Sequence, residues 1–165
     1  MMHSMFQGYA CTRTLEGQSA DRLVVGLALL LGLLLPALTF ADVGHNSCVG
    51  QDACTGNMGD VQNNACHGVH ACFRNTGAVG NNSCDGGGVC NLNKGATIGN
   101  DACVGFAACS RNAADVGNNS CVGTEACIRN HGTIGNNSCN ADHACTNNTR
   151  DIGNAQCNTP HECAQ

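Results

Sequence analysis

Two apolar patterns divide the chain. Leu23 to Leu38 is an unbroken apolar run without charge, with Arg22 before it and Thr39-Phe40-Ala41 after it. From Asp42 onward apolar residues are sparse and periodic. Val43, Val61, Val79, Ile98, Val116, Ile134 and Ile152 each stand second in a unit of 18 residues, or 19 in one unit. The units are 42–59, 60–77, 78–96, 97–114, 115–132, 133–150 and a shorter 151–165, hereafter units 1 to 7. No window carries a helical stripe of apolar residues. A short fixed period means one structural element stacked many times. The β-branched second position suits a strand, and the Gly and Asn that follow tolerate the left-handed backbone of sharp corners. The pattern therefore predicts an all-β chain: a single parallel β-solenoid of about seven coils with strands of two to four residues. Coils of this kind stack about 4.8 Å apart.

The first run reads as a secretory signal cleaved after Ala41, because small residues end it and about 16 apolar residues fall short of the roughly 20 that span a bilayer. Membrane association is expected only through an uncleaved leader. The predicted organisation is thus a signal peptide, 1–41, and a repeat domain, 42–165.

Cysteine spacing sharpens the fold. Pairs five residues apart recur in every unit: Cys48/Cys54, Cys66/Cys72, Cys84/Cys90, Cys103/Cys109, Cys121/Cys127, Cys139/Cys145 and Cys157/Cys163. Setting Cys11 of the leader aside leaves 14 of the 15 cysteines, an even set that reads as disulfides in an exported protein. Thiolate metal sites favour closer spacings. Bridges between neighbouring coils are within reach, but seven cysteines per column would strand one in each, so pairing within the coil is expected. Each bridge closes a short loop and contributes about 2 kcal/mol in the chain-entropy account. The interior should hold the Val/Ile column and the two cysteine columns. Residues 42–165 contain two aromatics, Phe73 and Phe106, too few for a conventional core.

Other columns repeat as well. Position 16 is Asn in the six complete units (Asn57, Asn75, Asn93, Asn112, Asn130, Asn148), which predicts an inward or corner ladder of amides bonded from coil to coil. The one extra residue, near Lys94-Gly95-Ala96, predicts a bulge. In unit 7, Gln156, Pro160 and Glu162 replace the residues usual at their positions, and such substitutions blunt a sheet edge. Self-association is then expected at the amino-terminal coil.

The cysteine pair in each coil resembles the disulfide-braced β-helix antifreeze proteins of beetles, although no column here is uniform threonine. The phrases Val116-Gly117-Asn118-Asn119-Ser120 and Ile134-Gly135-Asn136-Asn137-Ser138 resemble the hexapeptide repeat of left-handed β-helix acyltransferases. This resemblance implies a triangular coil of three hexapeptides and carries no activity. Overall, 42–165 resembles secreted proteins built from Cys-rich VGNNSC-type repeats.

Candidate chemistry is sparse. Stacking would place Glu125, His143 and His161 in one column at position 11, where imidazole and carboxylate could ligate zinc or copper. His67 and His70 with Asp52 form a weaker set. The simpler expectation for both is a solvated polar column without metal or cofactor. The acidic residues Asp42, Asp60, Asp115 and Asp151 do not fall in a calcium-roll pattern. Asn81, Asn118, Asn136 and Asn147 begin glycosylation sequons. No nucleophile–base signature is present, so no enzyme is expected. A net charge of −5, with Lys94 and four scattered arginines in the repeats, makes no basic patch and argues against nucleic acid. The expected function is a secreted, non-catalytic structural or surface-binding protein that presents flat Asn/Ser/Gly-rich faces to a glycan, matrix or cell surface. Ice binding is the first alternative, and metal binding through the stacked Glu/His column is the second.

Overall fold

The structure is a computed structural model, and it describes residues 41–165. The predicted leader lies outside the described residues apart from Ala41. Among the described residues there is no helix, and pairing is confined to isolated parallel bridges. One ladder runs down the second position through all seven units, Val43 to Val61, Val79, Ile98, Val116, Ile134 and Ile152. A second runs down the eighth position, His67 to Asp85, Val104 and Val122. Each paired segment is thus a single residue, where two to four were expected. The reason is in the flanking backbone. Val61 N–H donates to Asp42 C=O of unit 1 at 2.8 Å, while Gly44 N–H of unit 1 donates to Val61 C=O at 2.7 Å. One residue later the chain turns, and pairing passes to side chains.

The third position explains its own glycine. A Cβ on Gly117 would lie 2.7 Å from Asn136 N and Gly135 C of the next unit, closer than any real contact. Gln62 is the one departure. At that junction the adjacent bond, Asn63 N–H to Asn81 Oδ1, is 3.2 Å, against 2.8 Å for His45 N–H to Asn63 Oδ1.

The seven disulfides join Cys48–Cys54, Cys66–Cys72, Cys84–Cys90, Cys103–Cys109, Cys121–Cys127, Cys139–Cys145 and Cys157–Cys163, all within a unit. All 14 of these cysteines have positive φ, between 49° and 61°. In unit 5 the left-handed residues are Asn119, Cys121, Glu125, Cys127 and Arg129, with Gly123 between them at φ 146°. Every second residue from position 5 to 15 therefore leaves the right-handed regions. For a side-chain-bearing residue that costs about 1 kcal/mol or more. The alternation sends odd-position N–H groups along the stack: His70 to Gln51 C=O at 2.9 Å, Arg74 to Thr55 C=O at 2.9 Å, and Cys72 the other way, to Val89 C=O at 3.0 Å.

The interior is wider in composition than the Val/Ile and cysteine columns alone. Positions 6 and 12 are buried too: Ala65, Ser83, Ala102, Ser120 and Ser138, then Ala71, Val89, Ala108, Ala126 and Ala144. Adjacent residues 6 and 7 both face inward because the left-handed cysteine breaks the in–out alternation of an extended strand. Position 16 completes the core. Asn75, Asn93, Asn112, Asn130 and Asn148 are fully buried, and each Nδ2 donates to the preceding Asn Oδ1, at 2.8 Å for Asn75 to Asn57 and 3.1 Å for Asn112 to Asn93. The same nitrogen also reaches a carbonyl a few residues on, Gly77 C=O from Asn75 at 2.6 Å. The extra residue of unit 3 is absorbed at Gly95, φ 70°, exposed, with its N–H on Thr76 Oγ1 at 2.7 Å.

At unit 7 the pattern closes on itself. In units 1 to 6 the third-position N–H donates to the second-position carbonyl of the following unit. In unit 7 Gly153 N–H donates to Gln156 Oε1 at 3.0 Å, and Glu162 Oε2 accepts Thr159 N–H and Oγ1 at 3.0 and 2.9 Å.

Candidate binding face

Among the described residues, not every backbone N–H meets a carbonyl of a neighbouring unit. Some of the others, at positions 1, 4, 8 and 10, meet an Asn or Asp oxygen at the same position of the next unit, and position 6 meets a Ser Oγ of the preceding one, as Ala65 N–H does on Ser47. Position 4 does so throughout: Asn100 N–H donates to Asn118 Oδ1 at 2.7 Å, Asn118 to Asn136 at 2.8 Å and Asn136 to Asn154 at 2.8 Å. At position 1, Thr97 N–H uses Asp115 Oδ1 at 2.7 Å and Thr133 N–H uses Asp151 Oδ1 at 2.8 Å. The acidic column considered for calcium is thus an acceptor column for the backbone. Position 5 adds an exposed file alongside, with Asn46 Nδ2 on Asn64 Oδ1, Asn64 on Asn82 and Asn82 on Asp101 at 3.0–3.3 Å.

Positions 8 and 10 are different. Toward unit 7 three are filled: Val122 N–H donates to Asn140 Oδ1 at 3.1 Å, Thr124 N–H to Asp142 Oδ1 at 2.7 Å and Asn140 N–H to Asn158 Oδ1 at 3.0 Å, while Asp142 N–H faces Pro160 and makes none among the described residues. Across units 2 to 4 none is. The N–H groups of His67, Val69, Asp85, Gly87, Val104 and Phe106 make no hydrogen bond among the described residues. The same strip holds the exposed apolar residues Val69, Phe106 (63 % exposed) and Val122. The two aromatics are unlike. Phe73 is half-buried, edge-on to His70 at 5.6 Å and under the Arg74 guanidinium at 5.0 Å, whereas Phe106 stands free of such partners among the described residues. Sequence reasoning missed this strip. Part of its signal was the change from Gly87, Val104 and Phe106 to Asn140, Asp142 and Asn158 at positions 8 and 10, although Asp85 at position 8 leaves the His67 N–H without a bond.

Position 11 does align. His143 Nδ1 lies 3.4 Å from Glu125 Oε2, and the His143 and His161 rings stack at 5.0 Å, 2° from parallel. In the second set His70 Nε2 lies 3.5 Å from Asp52 Oδ2, while His67 turns away, its Nε2 at 2.6 Å from Asn46 C=O. Glu125, His143 and His161 do not converge as three ligands. Among the described residues the group of three ligand atoms within 4.8 Å of one another is Cys127, Cys139 and Cys145, and all three sulfurs are in disulfides. Of the sequons, Asn81, Asn118 and Asn136 lend Oδ1 to the position-4 ladder, and their partner serines are buried. Asn147 sits apart, exposed, with Nδ2 on Gln165 C=O at 3.2 Å and its Thr149 hydroxyl on Gln165 Oε1 at 2.9 Å.

Against known proteins, the chain matches one family model twice, over residues 36–117 and 90–165, described as Domain of unknown function (DUF7640). The chain belongs to this family. Each DUF7640 match covers about four units, and the two overlap because a repeat admits the same model at more than one register. Neither a curated protein nor a solved structure matches the chain. DUF7640 membership and the paired cysteines make this a Cys-rich repeat protein. Its disulfides belong to an oxidising, extracellular environment.

Proposed function

We propose that residues 42–165 form a parallel β-solenoid, secreted after removal of the leader, whose role is non-catalytic: it binds an extracellular glycan, matrix or cell surface through a rigid polar face. The observation that carries this reading is the strip at positions 8 and 10, where main-chain donors without a protein partner lie beside exposed apolar side chains. A rigid scaffold that presents donors at a fixed spacing loses little freedom on binding. The closure of unit 7 by Gln156 and Glu162 leaves the amino-terminal unit as the end proposed for self-association. The test is co-sedimentation of the secreted protein with insoluble polysaccharides and with extracellular matrix. Retention on at least one is expected, and retention on none ends the reading.

The exposed amide file at position 5 favours a second reading, ice binding, because it repeats polar groups once per unit on a rigid surface. Thermal hysteresis decides it, and disc-shaped ice growth at all concentrations removes it.

A further inference from the structure

The repeat shows what belongs at position 10. In unit 6 the Asp142 carboxylate occupies it and takes the Thr124 N–H of unit 5 at 2.7 Å. In unit 3 the same place is held by Gly87. The register is the same, since Gly88 N–H donates to Val69 C=O at 2.8 Å, so the Val69 N–H looks toward a side chain that is missing. The space is open. A Cβ on Gly87 would meet only the Phe106 ring, at 3.5 Å from Cδ2 and 3.7 Å from Cε2, and a Cβ on Gly88 would meet nothing within 4 Å. An unanswered donor therefore lies on one side of a side-chain-sized gap, and an exposed aromatic ring lies on the other.

We infer that the gap at Gly87, between the Val69 N–H and the Phe106 ring, is a subsite for one sugar residue of a neutral polysaccharide. This rests on the surface-binding reading above. A hydroxyl oxygen supplies the acceptor that Asp142 supplies three units on, and the C–H face of a pyranose stacks on Phe106. Positions 8 to 11 carry no Lys or Arg in any unit, so an acidic polymer would find no counter-charge there.

Two substitutions test this without disturbing the core. Gly87→Asp copies the unit 6 arrangement and fills the gap from within, and Phe106→Ala removes the exposed platform. Wild type and both variants are co-sedimented with cellulose, chitin, β-1,3-glucan and mannan. The wild type is expected to bind at least one polymer, with each variant weakened roughly tenfold and the Gly87→Asp protein melting no lower than wild type. Wild-type affinity in both variants on a polymer the wild type binds overturns the subsite and leaves the surface-binding reading standing. Retention of the wild type on none of the four overturns both.

Discussion

From position 16 round to position 4, a unit is held by asparagine; from position 5 to position 15, by sulfur. On the first arc Val or Ile makes an ordinary parallel bridge. The buried amides of position 16 and the exposed asparagine oxygens of position 4 repeat the bond pattern from unit to unit. On the second arc the backbone alternates into the left-handed region, with both cysteines among the residues that do so. The first arc is stabilised by partners in neighbouring units and depends on the stack. The second carries a conformational cost in each unit, and a covalent bridge inside the same unit opposes its relaxation. A disulfide here therefore does more than replace apolar bulk. It removes from the unfolded ensemble the extended conformations that would release the left-handed residues.

Breaking the sulfur arc should give the largest effect. Replacing Cys103 and Cys109 together by Ala, in the middle of the stack, is expected to cost about 2–5 kcal/mol. The same change at Cys157 and Cys163 should cost less, because unit 7 has a neighbour on one side among the described residues. Denaturant unfolding of the two double variants measures the difference, and equal losses would mean that the bridges act independently of the stack. On the asparagine arc, Asn112→Ala leaves the Asn93 oxygen and the Ala114 carbonyl without partners and takes from the Asn130 amide its bond along the ladder, though it keeps the Gly132 carbonyl, at about 1–3 kcal/mol. An unchanged midpoint would show that water replaces the ladder. A milder probe of the same arc is Ile134→Val, which shortens a fully buried side chain and should cost about 0.5–1.5 kcal/mol. An effect of similar size runs the other way. Gln62→Gly relieves the close approach at the third position and is expected to stabilise by about 1 kcal/mol. A lowered melting temperature would show that the 3.2 Å bond at that junction is not the consequence of the glutamine.

Much of the scaffold was legible because it depends on identity at a fixed period. The cysteine pairing and the amide ladder of position 16 each follow from one residue recurring where geometry demands it, and the break in the period located the extra residue near Gly95, which is taken up in a bend rather than in a paired strand. The candidate sites were less legible. Glu125, His143 and His161 do share a column, but sequence gives no side-chain direction, and stacked parallel rings do not converge on an ion. The strip around Phe106 was invisible for a different reason. Its defining feature is a set of unpaired main-chain N–H groups, and every residue has a main chain. Buried Ala and Ser at positions 6 and 12 add to the Val/Ile and cysteine columns expected inside, because the left-handed cysteine at position 7 lets its neighbour at position 6 face inward as well.

Sequence alone determined the period, the units and which residues lie above which, since a repeat of constant length can stack in register in few ways. It also determined the redox environment, through an even set of cysteines at regular spacing. Tertiary structure decided the sense of the backbone on the sulfur arc, and with it which N–H groups point at a carbonyl, which at an asparagine oxygen and which at neither. Those directions depend on φ residue by residue. They are set only when two neighbouring units close on each other, so no single unit carries them.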